Sequence, residues 1–217
     1  MKPEAFIFDL DGVLTDTAEF HFIAWQAIAH ELGIDFSLED NEALKGVDRT
    51  GSLQRILDKG KLSVSDQVFA QLLDKKNRHY LALIQDISPA HLFDGVLACF
   101  TELKSLGIKI GLASASKNAL LVLTGLGIRD QFDFIGDAAS VAHGKPAPDI
   151  FLSVAKGLNI EPELCIGIED AVAGVCAIKA ANMYAVGIGE PDVLTQADLV
   201  FASTAQLDIG RILASAA

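Results

Sequence analysis

The run FIFDLDGVLTD sets Asp9 and Asp11 on either side of one leucine, where three apolar residues give way to Gly12. Further along, Ser114 closes the run IKIGLAS, Lys145 stands in HGKPAPD, and Glu169 and Asp170 end LCIGIED. Taken singly, each has an ordinary explanation: an aspartate after a strand caps a turn, and a serine there caps the next helix. Taken together they place carboxylates, a hydroxyl and a lysine at the ends of apolar runs. Like charges gathered at a partly buried rim are costly unless a cation compensates them. Carboxylates in oxygen-only company suit a hard divalent cation that keeps some waters, which points to Mg²⁺.

The elements that must position these groups follow from the hydrophobic pattern. Residues 5–10 form a nearly continuous apolar run, as in a strand covered on both faces. From Thr17 to Leu32, Phe22, Trp25, Ile28, Ala29 and Leu32 fall at helical spacing, and Gly33 supplies a stop. Polar, helical-looking text continues to about Asp86 with no strand. After Pro89 the text alternates. GVLACFTELKSLG, KNALLVLTGLG, PAPDIFLSVAKGLNI and AVAGVCAIKAAN read as helices, while IKIGLAS, FDFIGD, LCIGIED and YAVGIG read as strands. The terminal ILASAA reads as a frayed end. Alternation of this kind predicts an α/β fold, a doubly wound parallel sheet with helical crossovers on both faces. The economical division is a core of 1–14 plus 88–217, with a helical domain, 15–87, inserted after the first strand. In such sheets ligands gather at the carboxyl ends of the strands, where the carboxylates, Ser114 and Lys145 fall.

Composition narrows the class. With 217 residues, 51% of them hydrophobic, the chain can build a sizeable core. Its net charge of −12 and pI of about 4.7 argue against a basic nucleic-acid-binding face. Cys99, Cys165 and Cys176 share no CxxC spacing and sit in apolar runs, as reduced, buried thiols do. His30, His79, His91 and His143 show no metal spacing and read as surface residues. No stretch reaches the roughly 20 apolar residues of a membrane span, and the start has no signal-peptide pattern. The expectation is a soluble cytoplasmic monomer with no nucleic-acid or membrane partner.

The ordered set DLDGVLTD, LASAS, GKPAPDIF and GIEDAVAG resembles the four motifs of the haloacid-dehalogenase-like phosphotransferases, and the helical insert resembles that superfamily's cap domain. The resemblance covers the whole chain. It implies that Asp9 is the nucleophile that accepts a phosphoryl group and also a metal ligand, and that Asp11 is the general acid and base. Gly12 lets the chain turn so that both address one phosphoryl centre. Asp11 is implied to ligate the metal through its carbonyl oxygen, Asp170 through its carboxylate, and Glu169 either directly or through water. Ser114, the amide of Ala115 and Lys145 resemble the clamp on the transferring phosphoryl.

A narrower resemblance is to the superfamily's sugar-phosphate mutases, carried by DTAEFHF, LKGVDRTGSLQRIL, KKN and ASASKN. It implies interconversion of β-glucose 1-phosphate and glucose 6-phosphate through a phospho-aspartyl enzyme and a 1,6-bisphosphate. A mutase must exclude water and hold a second phosphate, for which Arg49 is the candidate, although spacing alone would leave it on the surface. Lys45, Gly46, Ser52 and Lys76 resemble cap contacts with the substrate. Ser116, Lys117 and Asn118 lie where a helix begins. Thr17 resembles a hinge position, and His21 a relay that couples cap closure to Asp11, against a plain core-edge histidine. One departure is Gly144, where the family often has serine, and it puts a phosphate contact in question. The alternatives are a sugar-phosphate phosphatase with the same core residues and, from another class, a phospho-aspartate signalling domain.

Overall fold

The computed structural model describes residues 2–216. Strand β1 (Ala5–Phe8) is followed by helices α1 (Ala18–Glu31), α2 (Leu38–Glu42), α3 (Arg49–Lys59) and α4 (Asp66–Leu83). Then α5 (Val96–Ser105), β2 (Lys109–Leu112), α6 (Ala119–Gly125), β3 (Phe134–Ile135) and α7 (Asp149–Leu158) alternate. The chain closes with β4 (Cys165–Glu169), α8 (Val172–Ala180), β5 (Tyr184–Ile188), β6 (Leu199–Phe201) and α9 (Ile209–Ser215). The sheet order is β3-β2-β1-β4-β5-β6, and every pairing is parallel. The sequence-based doubly wound sheet is therefore present.

β1 is the hub of that order. It pairs with β2 on one side and β4 on the other, so the chain winds outward in both directions from it. A crevice opens where the direction of winding reverses, and the ends of β1, β2 and β4 all face it. Residues of β1 alternate between two cores. Ala5 and Ile7 pack with Ile150, Phe151 and Val154 of α7 and Val175 and Ile178 of α8. Phe6 and Phe8 pack with Phe100 and Leu103 of α5, Val122 of α6 and Ile212 of α9. Apolar side chains on both faces explain why β1 reads as an unbroken hydrophobic run.

The inserted helices have an apolar cluster of their own, built from Trp25, Ile28, Phe36, Leu53, Ile56, Leu57 and Leu72 among others. Helices α2, α3 and α4 start at side-chain caps, whereas α1 does not. Ser37 forms a capping box with Asp40, and Asp48 and Ser65 accept from the backbone N–H of Gly51 and Val68. The other end of α4 is rooted elsewhere, since Tyr80 and Ile84 belong to the sheet-side cluster.

Four readings need correction. β1 ends at Phe8, so Asp9 and Leu10 lie beyond it, although Asp9 N still donates to Ile168 O of β4. The last segment is not frayed: α9 runs to Ser215 with Ile209 and Ile212 buried against the sheet, whereas Ala217 lies outside the described residues. β6 had no sequence-based counterpart. Cys176 is half-buried rather than buried, although all three cysteines are unpaired, and His79 is half-buried rather than on the surface.

Phe100 touches Phe8 and Phe132 edge-on, with ring centroids 5.2 and 5.4 Å away. Replacing it with alanine is expected to cost about 3–5 kcal/mol of unfolding free energy, read from urea denaturation. Because its ring faces the core, turnover by the folded fraction should be unchanged.

Candidate active site

Asp9 follows β1 and keeps a backbone bond to Ile168 of β4, so its carboxylate sits beside the carboxylates that end β4. The backbone of Gly12 adopts φ +86°, and a Cβ there would lie 2.1 Å from Asp170 Oδ2. Only glycine lets the loop turn that tightly against this carboxylate. Asp9, Glu169 and Asp170 bring oxygens within 4.8 Å of one another. Lys145 reaches in from the far loop, and its buried ammonium donates to Asp9 Oδ1 at 2.6 Å and Glu169 Oε1 at 3.3 Å.

That lysine does not satisfy the cluster. Glu169 Oε2 is buried with no hydrogen-bond partner. Burial, reinforced by the charge on Asp9, raises the pKa of Asp11 to about 8 and that of Asp170 to about 7, and pushes Glu169 well above the carboxylate range. Burial works against the Lys145 ammonium, yet Asp9 and Glu169 outweigh it and hold its pKa above the ordinary lysine value. An orphaned carboxylate oxygen amid oxygen-only donors fits a hard divalent cation. The side chain of Asp11 is not among those three carboxylates. It accepts a hydrogen bond from Thr17 Oγ1 instead.

Above this rim lies a cavity of about 680 Å³. Asp9, Asp11 and Asp170 line its floor, and His21, Lys45, Gly46, Arg49, Ser52 and Lys76 of the insert line its roof. Ala115, Ser116 and Lys117 form one wall. Lys45 spans the seam, 2.9 Å from Glu42 Oε2 and 3.7 Å from Asp170 Oδ2. Gly46, at φ +73°, lets its loop lie against Ala171 and Ala173 of the core. Arg49 opens α3 and is half-buried rather than on the open surface. Lys76 is buried, and its ammonium donates to His21 Nδ1 at 2.8 Å while lying over the rings of Trp25 and Tyr80. Burial, then the charge of Arg49, brings the Lys76 pKa down to about 7. Burial together with Lys76 and Arg49 holds His21 well below its usual value, as a neutral imidazole. Among the described residues neither Arg49 nor Lys76 has a carboxylate in ion-pair range.

Several of the expected contacts each hold one hydrogen bond to the protein. Ser114 is buried and accepts from the backbone N–H of Ser116 at 3.0 Å. Ser52 donates back to Asp48 O at 2.8 Å. Asn118 turns its amide to Asn77 of the insert. A Cβ on Gly144 would meet Asp48 Oδ2 at 3.3 Å, so this departure falls at the seam beside α3. Phe93, Asp94 and residues 202–205 also line the cavity and were not expected. The connection after β6 brings residues 202–205 there, and the return of the chain from the insert, where Phe93 N donates to Leu14 O at 2.9 Å, brings Phe93 and Asp94.

A doubly wound sheet with a helical insert, strand-end carboxylates around a lysine, and a roofed cavity define an aspartate-based phosphotransferase site. The profile of the haloacid dehalogenase-like hydrolases matches residues 3–182, and the chain belongs to that family. It is 46% identical over 208 residues to the β-phosphoglucomutase of Bacillus subtilis, covering 95% of this chain and 92% of that one. The crystal structure of a β-phosphoglucomutase from Clostridium difficile superposes with a TM-score of 0.96 at 50% identity, covering 99% and 97% of the two chains. A fructose-1-phosphate phosphatase of Escherichia coli is 31% identical over 182 residues, 84% of this chain and 94% of that one.

The raised carboxyl pKa values carry a pH dependence. Unfolded carboxyls titrate near pH 4. Protons retained in the fold therefore stabilise the cation-free protein fully below about pH 4, and that stabilisation drains away as pH rises toward 8. In chelator, the melting temperature should fall from pH 5 to 7, where the carboxyl protons outnumber the opposing His21 shift, and turn upward above about pH 8, where the lowered Lys76 pKa acts in the other direction. Added Mg²⁺ should raise it more at pH 8 than at pH 6. A flat or rising profile from pH 5 to 7 in chelator would contradict the account.

Proposed function

We propose that the chain is a β-phosphoglucomutase that interconverts β-glucose 1-phosphate and glucose 6-phosphate through β-glucose 1,6-bisphosphate. The observation that carries this is the polarity of one cavity. Nucleophile-type carboxylates, one of them held from behind by the buried Lys145, lie on its floor, and Arg49 and Lys76, without acidic partners, lie in its roof. Such a space suits a sugar bearing phosphate at both ends. The identity to two β-phosphoglucomutases over nearly the full chain supports the same reading.

In this reading Asp9 attacks the phosphorus of the bisphosphate, the bond from phosphorus to the sugar oxygen breaks, and Asp11 protonates the leaving oxygen. A pKa raised to about 8 keeps that proton available at neutral pH. Thr17 holds the Asp11 carboxyl in place. In the return step Asp11 takes the proton from the attacking hydroxyl of the other monophosphate, and the phosphoryl passes from Asp9 to that oxygen. Lys145 steadies Asp9 and offsets charge on the transferring group, and the Ser114 hydroxyl and the Ala115 amide donate hydrogen bonds to its oxygens. Ser116, Lys117 and Asn118, with Arg49, Ser52 and Lys76 opposite, hold the non-transferring phosphate and the sugar. Lys45 and Gly46 seat the insert on the core, and His21 links the Lys76 ammonium to the helix that follows Thr17. Asp9, Glu169, Asp170 and the Asp11 carbonyl would hold Mg²⁺, which would supply charge neutralisation at the phosphoryl oxygens.

The two bodies would be residues 1–14 with 88–217, and 15–87, a division supported by the separate apolar cluster of the insert. The protein would act as a cytoplasmic monomer on a small phosphorylated sugar, without nucleic acid or membrane. Among the described residues no helix is long and apolar enough to cross a membrane. The second reading is a sugar-phosphate phosphatase, favoured by the 31% relative that carries that activity. Product analysis on β-glucose 1-phosphate with Mg²⁺, with and without the bisphosphate, separates them. The mutase yields glucose 6-phosphate dependent on bisphosphate, whereas the phosphatase yields stoichiometric inorganic phosphate.

Arg49→Ala is expected to lower kcat/KM for isomerisation more than a hundredfold, on the order of 3 kcal/mol for a lost charge-assisted contact. Phosphorylation of Asp9 by acetyl phosphate, which has no second phosphate, should fall far less. An equal loss with both donors would move Arg49 into the shared phosphoryl chemistry or into folding.

A further inference from the structure

Asn118 stands at the N-cap position of α6, where an asparagine side chain ordinarily accepts from the helix backbone, yet it makes no such bond. Its amide Nδ2 instead donates to Asn77 Oδ1 at 2.9 Å, across the seam between core and insert. The loop bearing Asn118 is fixed by other means: Ser116 N donates to Ser114 Oγ at 3.0 Å, and Asn118 N to Ser116 Oγ at 3.2 Å. The side-chain amide is therefore free to be aimed by something else. Asn77 follows Lys76, which lines the cavity roof, and Asn118 follows Lys117, which lines the wall, so the amide pair bridges the seam directly beside the cavity.

A carboxamide nitrogen carries two protons in a fixed plane. When Asn77 takes one, rotation about the terminal bond of Asn118 stops, and the direction of the second proton is set. In the observed pairing Asn77 presents its Oδ1, so Asn118 Nδ2 is the donor end. We propose that Asn77 is a positioning residue: it aims the second Asn118 N–H at the non-transferring phosphate, and does so only while the insert is seated on the core. A doubly phosphorylated sugar is thereby favoured over a small phosphoryl donor. This rests on the reading of Asn118 as a substrate contact and adds a residue that acts through it.

The test measures how fast Asp9 is phosphorylated by β-glucose 1,6-bisphosphate, a step common to mutase and phosphatase, so the product assay above judges the function separately. Asn77→Ala should lower kcat/KM for this donor about fivefold to tenfold, mainly through KM, as one lost neutral hydrogen bond would. Phosphorylation by acetyl phosphate should stay within about twofold. Asn118→Ala should lose at least as much, and adding Asn77→Ala to it should change the rate less than about twofold, because the two act as one unit. Independent, multiplying losses in the double variant would overturn the proposal. So would an equal loss with acetyl phosphate, or no loss from Asn77→Ala.

Discussion

The fully buried ammonium of Lys145, held between Asp9 and Glu169, is the interaction on which the rest of the site depends. A parallel sheet brings its strand ends to one rim, and this chain has put carboxylates at two of them. In a low-dielectric setting such a set would repel itself open or take up protons. One lysine neutralises part of it and leaves the remainder primed for a second cation. The close packing around the cluster shows how little slack is left. A Cβ on Gly174 of α8 would lie 2.0 Å from Glu169 Cδ, as one on Gly12 would strike Asp170. Glycines at these two places let the carboxylates draw together behind a backbone that has come in to meet them.

The insert answers with the opposite sign. Lys76 is buried against Trp25 and Tyr80 and leans on a neutral His21, whose ring lies 4.2 Å from that of Tyr80. The Tyr80 hydroxyl is buried without a partner, so the aromatic stack holds the lysine by its rings and not by a counter-ion. A cation kept short of protein anions in this way is strongly attracted to an anionic ligand. The insert keeps an apolar core of its own and meets the sheet side where Gly46 lies beside Ala171 and Ala173 and where Asp48 lies beside Gly144.

Much of this was legible in the sequence, and for a specific reason. The chemically telling residues follow immediately on uninterrupted apolar runs, so Asp9, Ser114, Glu169 and Asp170 could be placed at strand ends without coordinates. The helical spacing that begins at Thr17 set that text apart from the alternating text after Pro89, and the separate apolar cluster from Trp25 to Leu72 falls within it. What was not legible depended on pairing between distant segments of ordinary composition. β6 is only Leu199–Phe201 at a sheet edge, too short for a period to show. The end of the chain reads as alanine-rich text, yet Ile209 and Ile212 suffice to dock it. The inward turn of Ser52 and the partnership of Asn77 with Asn118 involve neutral polar groups, whose partners no local pattern announces.

The central position of β1 also dictates the order in which the molecule can be assembled. The strand that leads into Asp9 is made first, but its neighbour β4 does not exist until residue 168 of 217 has been synthesised. Until then a four-residue apolar segment waits with one edge unpaired. The helices between can meanwhile gather their own apolar cluster from local contacts, since its members span residues 25–72. Contacts of such long sequence separation form late and slowly. The nascent protein thus carries a finished roof before it has a floor, and a ribosome-bound chain at that stage exposes a sticky strand edge that must be shielded until the sheet closes.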